Sequence, residues 1–261
     1  MIWIGLPAYN EQERIGHLLM DISKSLKRGH QQYNIVVYDD GSRDKTVQTV
    51  LAEKKHGVNV DIIEGKVNKG LAHALTRLIA HCTGLSGIDD VIIIMDADAT
   101  HNPEHMNRMI NYIRDGFDVI IASRYTPYSR MRGLAWHRRI FSNVANMAFR
   151  LLFPIRGIRD YTCAYRAYTS KILKLAQELY SDRLIEEDSF ACMAELLIKL
   201  RKLDIIACEI PLILRYDKKI GPSKMNVAVT VLRTLNLFIK GLFYHKPGQE
   251  KLNILREKYH I

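Results

Sequence analysis

Apolar and polar positions follow two different periods along the first half of the chain. Short, mainly apolar runs recur at 2–6, 34–38, 58–64, 91–95 and 118–122, the one at 91–95 without a break. Each is closed by polar or turn residues, the pattern of strands buried on both faces of a parallel sheet. Between them the apolar positions return with helical spacing. Ile15, Leu18, Leu19, Ile22 and Leu26 fall on one face of a helix that Asn10 and Glu13 are placed to open as a capping box. Further helices are expected over 44–55, from the Asn68-Lys69-Gly70 turn to about 81, and from Pro103 to 114. Strands alternating with helices imply βαβ units, hence a mostly parallel α/β sheet.

The pattern changes after Ser123. Helices are predicted over 136–152 and 170–180, and a third, capped by Glu186-Glu187-Asp188, ends near 203. The segment 156–168 reads as irregular and polar, and short strands are expected at 205–208 and 212–215 about Pro211. A basic loop, 218–224, leads to a helix over 226–245. Its apolar side carries Val227, Val231, Leu235, Phe238 and Leu242, and its polar side Arg233, Asn236 and Lys240. Such a helix either packs on the domain or lies in a membrane interface. The tail, 246–261, is mixed and basic.

The most informative strand is 91–95, which runs directly into Asp96-Ala97-Asp98. Residues two apart in an extended chain point the same way. The two carboxylates therefore share one side at the carboxyl end of a strand, where open α/β sheets bind ligands. Hard oxygen ligands with open positions suit Mg²⁺ or Mn²⁺ carrying substrate phosphates; the plainer reading is a pair of solvated loop acids. An EF-hand is excluded, since His101 and Asn107 stand where its glycine and glutamate belong. Other strands also deliver acids to this rim: Glu11 after the first, Asp39 and Asp40 after the second. Either Asp39 or Asp40 could instead serve an Asx-turn or helix cap.

Composition narrows the partners. A chain of 261 residues, 48% hydrophobic and 25% charged, is ordinary for a soluble protein of one large or two small domains. Four scattered cysteines form no C-x-x-C pair and read as buried thiols in a reducing compartment. No signal peptide and no membrane-spanning stretch is expected. A net charge of +10 calls for an anionic partner. Neither a dinucleotide glycine fingerprint nor a Walker loop is present. A nucleic-acid-binding module fits the charge but lacks the aromatic or zinc-finger signatures of that class.

Five motifs occur in order: Pro7-Ala8-Tyr9-Asn10-Glu11, Val37-Tyr38-Asp39-Asp40-Gly41-Ser42, Asn68-Lys69-Gly70, Met95-Asp96-Ala97-Asp98 and Ser123-Arg124-Tyr125. The series resembles the family 2 glycosyltransferases with the GT-A fold. In the second half, 138–146, 159–168, Glu209-Ile210-Pro211 and Gly221-Pro222-Ser223-Lys224 resemble the polyprenol-phosphate (dolichol-phosphate) mannosyltransferases. The likeness spans about residues 2–224. It implies a GT-A domain over 1–224, with a nucleotide-sugar half (1–123) and an acceptor half (124–224), followed by an amphipathic helix and basic tail (225–261).

The resemblance also implies roles. Pro7, Tyr9, Glu11, Val37 and Asp39 match the base and ribose site. Asp96, Ala97 and Asp98 match the diphosphate and metal site, with Asp96 and Asp98 as ligands of Mg²⁺ or Mn²⁺. Lys218 and Lys224 match basic residues that close over the diphosphate. Lys218 stands where closer relatives carry arginine, so a bidentate phosphate contact is lost there. Thr100 replaces a frequent third metal ligand. Asp98, Arg124, Arg138, Ser142 and Asp160 form the expected catalytic set, with Arg124, Arg138 and Ser142 at the lipid phosphate.

The implied reaction is an inverting, metal-dependent transfer of a hexose, mannose first, from GDP-mannose or alternatively a UDP-sugar to a polyprenyl phosphate. The expected place is the cytosolic face of a membrane, peripherally, with a membrane-anchor subunit among the conceivable partners. Two alternatives stand beside it. One is transfer to a saccharide, lipid or protein hydroxyl with Asp188 as base, although the phosphate-acceptor relatives' helix glutamate falls on Glu195. The other is a catalytically silent nucleotide-sugar-binding partner subunit.

Overall fold

The computed structural model describes residues 1–133, 135–218, 227–244 and 247–261. Strands β1 (Ile2–Ala8), β2 (Tyr33–Asp39), β3 (Val60–Glu64), β4 (Val91–Ile94) and β5 (Val119–Ser123) coincide with the five apolar runs. Helices α1 (Ile15–Arg28), α2 (Thr46–Lys55), α3 (Leu71–Leu85) and α4 (His105–Arg114) lie between them. All five apolar residues assigned to the inner face of α1 are buried. The capping box is not formed. Helix α1 starts at Ile15 without a side-chain cap, because Asn10 sits at positive φ and its Oδ1 accepts from the Arg43 N–H.

The second half supplies β6 (Arg130–Arg132), α5 (Trp136–Leu152), β7 (Arg166–Thr169), α6 (Ser170–Tyr180), α7 (Cys192–Arg201), β8 (Ala207–Pro211), β9 (Ile213–Arg215), α8 (Val227–Leu242) and α9 (Gln249–Tyr259). The main sheet has the order β3-β2-β1-β4-β7-β5-β8. Only β7 runs antiparallel, between β4 and β5, so the expected mostly parallel α/β sheet is what forms. Strands β6 and β9 make a separate parallel pair.

Strand order reverses beside β1: the chain steps outward through β2 and β3, then returns to place β4 on β1's other edge. Right-handed crossovers then put α1 and α2 on one face and α3 on the other. The reversal opens a crevice at the carboxyl ends of β1 and β4. These strands approach closely at Gly5, where a Cβ would come within 2.6 Å of Ile94 Cδ1.

Three further expectations need correction. The segment 156–168, read as irregular, runs into β7, a central strand. Its Arg166 is fully buried because Met193 and Tyr161 carbonyls accept from its guanidinium. Glu186-Glu187-Asp188 does not cap a helix, since α7 begins later, after Ala191. Helix α8 buries Thr234, Leu237 and Gly241, while Leu235 and Leu242 of the expected inner face point to solvent. Gly241 is required there: a Cβ would lie 2.7 Å from the Phe153 ring at the end of α5. The tail forms α9, which packs on α6 and buries Leu252, Leu255 and Tyr259. The four cysteines are free, and burial pushes the Cys82 thiol up to about 12 and Cys208 to about 11.

Candidate active site

The carboxyl ends of β1 and β4 open into a cleft of about 580 Å³, walled on its far side by α5 and α8. Pro7, Tyr9 and Glu11 enter it from the β1 end, and Asp40 from β2. Asp96, Ala97, Asp98 and Thr100 enter after β4, and Arg138 and Ser142 from α5. The far end is apolar, lined by Phe141, Val144, Ala148, Val231, Leu235 and Phe238. A second, polar recess of about 370 Å³ adjoins it beside Asp39, Gly41, Arg43 and Asn68.

The acids of the β2 end have separate tasks. Asp40 accepts from the Lys69 and Gly70 N–H groups at 2.7–3.1 Å and so anchors the turn that opens α3. Asp39 Oδ2 accepts from the Ser42 N–H three residues on and so ties the turn after β2 to the strand end. Its Oδ1 is buried with no protein partner. A buried carboxylate oxygen left unpaired by the protein is a place for a ligand donor. Val37 is not brought to either cavity: it lies wholly buried in β2, paired with Leu6 and Ile62.

Asp96 and Asp98 share the rim as expected. Asp98 Oδ1 accepts from the Thr100 N–H (3.1 Å) and hydroxyl (2.6 Å). Thr100 thus orients Asp98, a role the sequence left between ligand and bystander. Asp96 Oδ2 lies 3.9 Å from His101 Nε2, and the buried His101 ring stacks on Tyr165 at 5.2 Å. Among the described residues no three His, Cys, Asp or Glu side chains form a cluster able to hold an ion. Asp96 and Asp98 both line the rim, and carboxylate oxygens are the donor type that suits Mg²⁺ or Mn²⁺ carrying phosphate and water.

Toward the α5 end of the cleft Arg124 and the fully buried Asp160 form a bidentate pair at 2.6 and 2.8 Å. Burial opposes both charges. The carboxylate nonetheless drives the guanidinium's pKa above its ordinary value, and the arginine draws Asp160 below the usual carboxylate range. Asp160 also accepts from the N–H groups of Arg124, Thr162 and Cys163. The network runs on. Arg124 donates to Thr162 Oγ1, Asn146 bridges Thr162 to the Ser142 carbonyl, and the Ser142 hydroxyl bonds the Tyr125 hydroxyl at 2.7 Å. Asn146 and Thr162 were not singled out from sequence, though both lie within the matched second-half motifs. Arg138, four residues before Ser142 on α5, stands over the Tyr216 ring at 5.4 Å. Asp188 is exposed and lies outside the cleft lining. Lys224 and the side chain of Lys218 lie outside the described residues.

Comparison with known proteins now bears on the same residues. The model of glycosyl transferase family 2 matches residues 3–175. The chain belongs to this family. Among curated family relatives, the dolichol-phosphate mannosyltransferase of Pyrococcus furiosus is 30% identical over 195 residues, 74% of this chain and 51% of that protein. The polyprenol monophosphomannose synthase of Mycolicibacterium smegmatis is 31% identical over 176 residues, 65% of this chain and 62% of that one. The matches thus span about half to three-fifths of each relative's length. In fold, the glycosyltransferase resembles glucosyl-3-phosphoglycerate synthase from Mycobacterium tuberculosis, solved with Mn²⁺, uridine diphosphate and phosphoglyceric acid. The TM-score is 0.67 at 18% identity, over 94% of this chain and 79% of that one. The architecture is the GT-A fold.

Proposed function

We propose that this protein transfers a hexose, mannose in first place, from a nucleotide sugar to a polyprenyl phosphate. The observation that carries the reading is one continuous cleft with an acidic strand-end rim at one end and an arginine on an apolar helix groove at the other. The acidic end suits the donor. The unpaired Asp39 oxygen, in the recess it shares with Gly41, Ser42 and Asn68, would accept from a nucleobase or ribose donor group. Asp96 and Asp98 would hold Mg²⁺ or Mn²⁺, which when bound acts as a Lewis acid on the leaving diphosphate. The names of the two relatives favour mannose as the sugar; the donor we propose is GDP-mannose, with a UDP-sugar as the alternative.

The other end suits a phosphate on a hydrocarbon chain. A phosphate monoester is largely dianionic at neutral pH and needs no base to become a nucleophile. Its oxygen attacks the anomeric carbon as the bond to the diphosphate breaks, with inversion. Arg138 and Ser142 lie one helical turn apart and hold the phosphate; the Arg124–Asp160 pair fixes the wall behind Ser142. The apolar groove between α5 and α8 receives the chain. A hydroxyl acceptor would instead need a base, and Asp188 lies outside the lining. Arg138→Lys is expected to lower transfer to polyprenyl phosphate about 10-fold or more, because lysine cannot copy the planar fork, while donor affinity stays unchanged. Asp188→Asn is expected to be near wild type. A dead Asp188→Asn beside a healthy Arg138→Lys, in initial-rate assays, would show that the acceptor is a hydroxyl.

A further inference from the structure

Behind the acceptor end lies a buried charge cluster that the transfer itself does not use. Glu195, on α7, and Lys199, one turn later, are both fully buried and pair at 2.8 Å. Glu195 Oε2 accepts from the backbone N–H groups of Glu186 and Glu187, each at 2.8 Å. Its Oε1 accepts from the hydroxyl of Tyr244, just beyond the end of α8, at 2.7 Å. Lys199 donates to Glu186 Oε2 at 2.7 Å and to the Arg183 carbonyl, and its ammonium stands over the Tyr244 ring at 4.7 Å. Burial and the Glu195 carboxylate push the Tyr244 hydroxyl's pKa well up, so it stays a donor.

One carboxylate thus joins three pieces: α7, the end of α8, and the loop through 186–191. That loop faces the cleft. Phe190 and Ala191 line it, and the Asp188 carbonyl lies against Gly70 at the donor side. Meanwhile Leu232, Ile239 and Leu242 of α8, with Phe243 just beyond its end, form an outward apolar stripe that is largely exposed. A buried Lys–Glu pair is weak evidence for stability, since desolvation offsets its attraction. Charge-assisted bonds to two backbone N–H groups and a tyrosine are instead strongly directional.

We infer that Glu195 is a positioning residue through which helix α8, seated on a bilayer, fixes the 186–191 loop at the acceptor end of the cleft. The inference rests on the lipid-acceptor reading above. Tyr244→Phe is the clean variant, because it keeps the ring over Lys199 and removes only the hydroxyl link. Wild type and variant are assayed with GDP-mannose and Mn²⁺ on two acceptors: undecaprenyl phosphate in phosphatidylcholine–phosphatidylglycerol vesicles, and the short, soluble citronellyl phosphate. The variant's KM for the vesicle-borne acceptor should rise about 10-fold, the worth of one buried hydrogen bond, with kcat on citronellyl phosphate and KM for GDP-mannose unchanged. Glu195→Gln should show the same split; if it does not fold, Tyr244→Phe decides alone. A wild-type KM in Tyr244→Phe, or an equal loss on both acceptors, overturns the inference. Hydrogen exchange read without substrate keeps the two claims apart. Vesicles should slow exchange at the Glu186 and Glu187 amides in wild type and not in Tyr244→Phe. If wild type transfers to neither acceptor, the functional reading fails while exchange still decides the coupling, and amides indifferent to vesicles in wild type refute it.

Discussion

Asp160 shows how much one carboxylate organises here. It gathers the Arg124 side chain and the backbone N–H groups of Arg124, Thr162 and Cys163 around a fully buried point, with Glu209 holding the Asp160 N–H from behind at 2.6 Å. Asparagine cannot accept the bidentate guanidinium and leaves Arg124 uncompensated. Asp160→Asn should therefore cost about 3–5 kcal/mol of stability. The pH dependence follows from the direction of the shift. Asp160 titrates below its ordinary value of 3.8 when folded, so the unfolded chain takes the proton more readily. The pair's contribution is fully present above that ordinary value and is lost as pH falls through the folded one. Urea midpoints of wild type and Asp160→Asn should differ most at neutral pH and converge at strongly acid pH. A gap independent of pH would mean that the pair is not ionic.

Helices α5 and α8 form the molecule's unusual surface. On α5, Trp136, Ile140, Met147 and Leu151 make one outward stripe, with Trp136 74% and Leu151 75% exposed. On α8 the stripe holds Leu232 at 67% and Phe243, beyond its end, at 71%. Phe149 and Phe238 lock the two helices edge to face at 4.7 Å. Two adjacent apolar stripes flanking a cleft with an apolar end suit a lipid interface, as the proposed lipid acceptor requires. Leu232→Glu with Ile239→Glu should abolish co-sedimentation with anionic vesicles while leaving the thermal midpoint almost unchanged, since both side chains are exposed. Retained sedimentation would place the membrane contact elsewhere.

The same elements show what a sequence can and cannot disclose. The run Val91–Ile94 was legible because a strand buried on both faces needs apolar residues throughout, and the acids that end it follow. Strand β7 was hidden because Arg-Ala-Tyr-Thr looks exposed; its burial depends on carbonyl partners such as Met193, far along the chain. The outward face of α8 was misjudged for a related reason. Its apolar residues extend well beyond one face, and its contacts with α5 and α7 decide which of them are inside. Asp160 could be matched to a motif, but its bond to Arg124, 36 positions away, is a tertiary fact.

At the scale of the whole molecule, a net charge of +10 suits two anionic substrates and an anionic surface at once. No helix among the described residues is long and apolar enough to cross a membrane. In the proposed reading, donor, acceptor and interface meet at the cleft where β1, β4, α5 and α8 converge. The most direct test is to follow radiolabelled mannose. Wild-type protein is incubated with labelled GDP-mannose, Mn²⁺ and undecaprenyl phosphate in anionic vesicles, then extracted with organic solvent. The account predicts label in the lipid phase as an acid-labile glycosyl phosphate, absent when EDTA is in excess. Label confined to the aqueous phase, or carried on an acid-stable hydroxyl product, would contradict it.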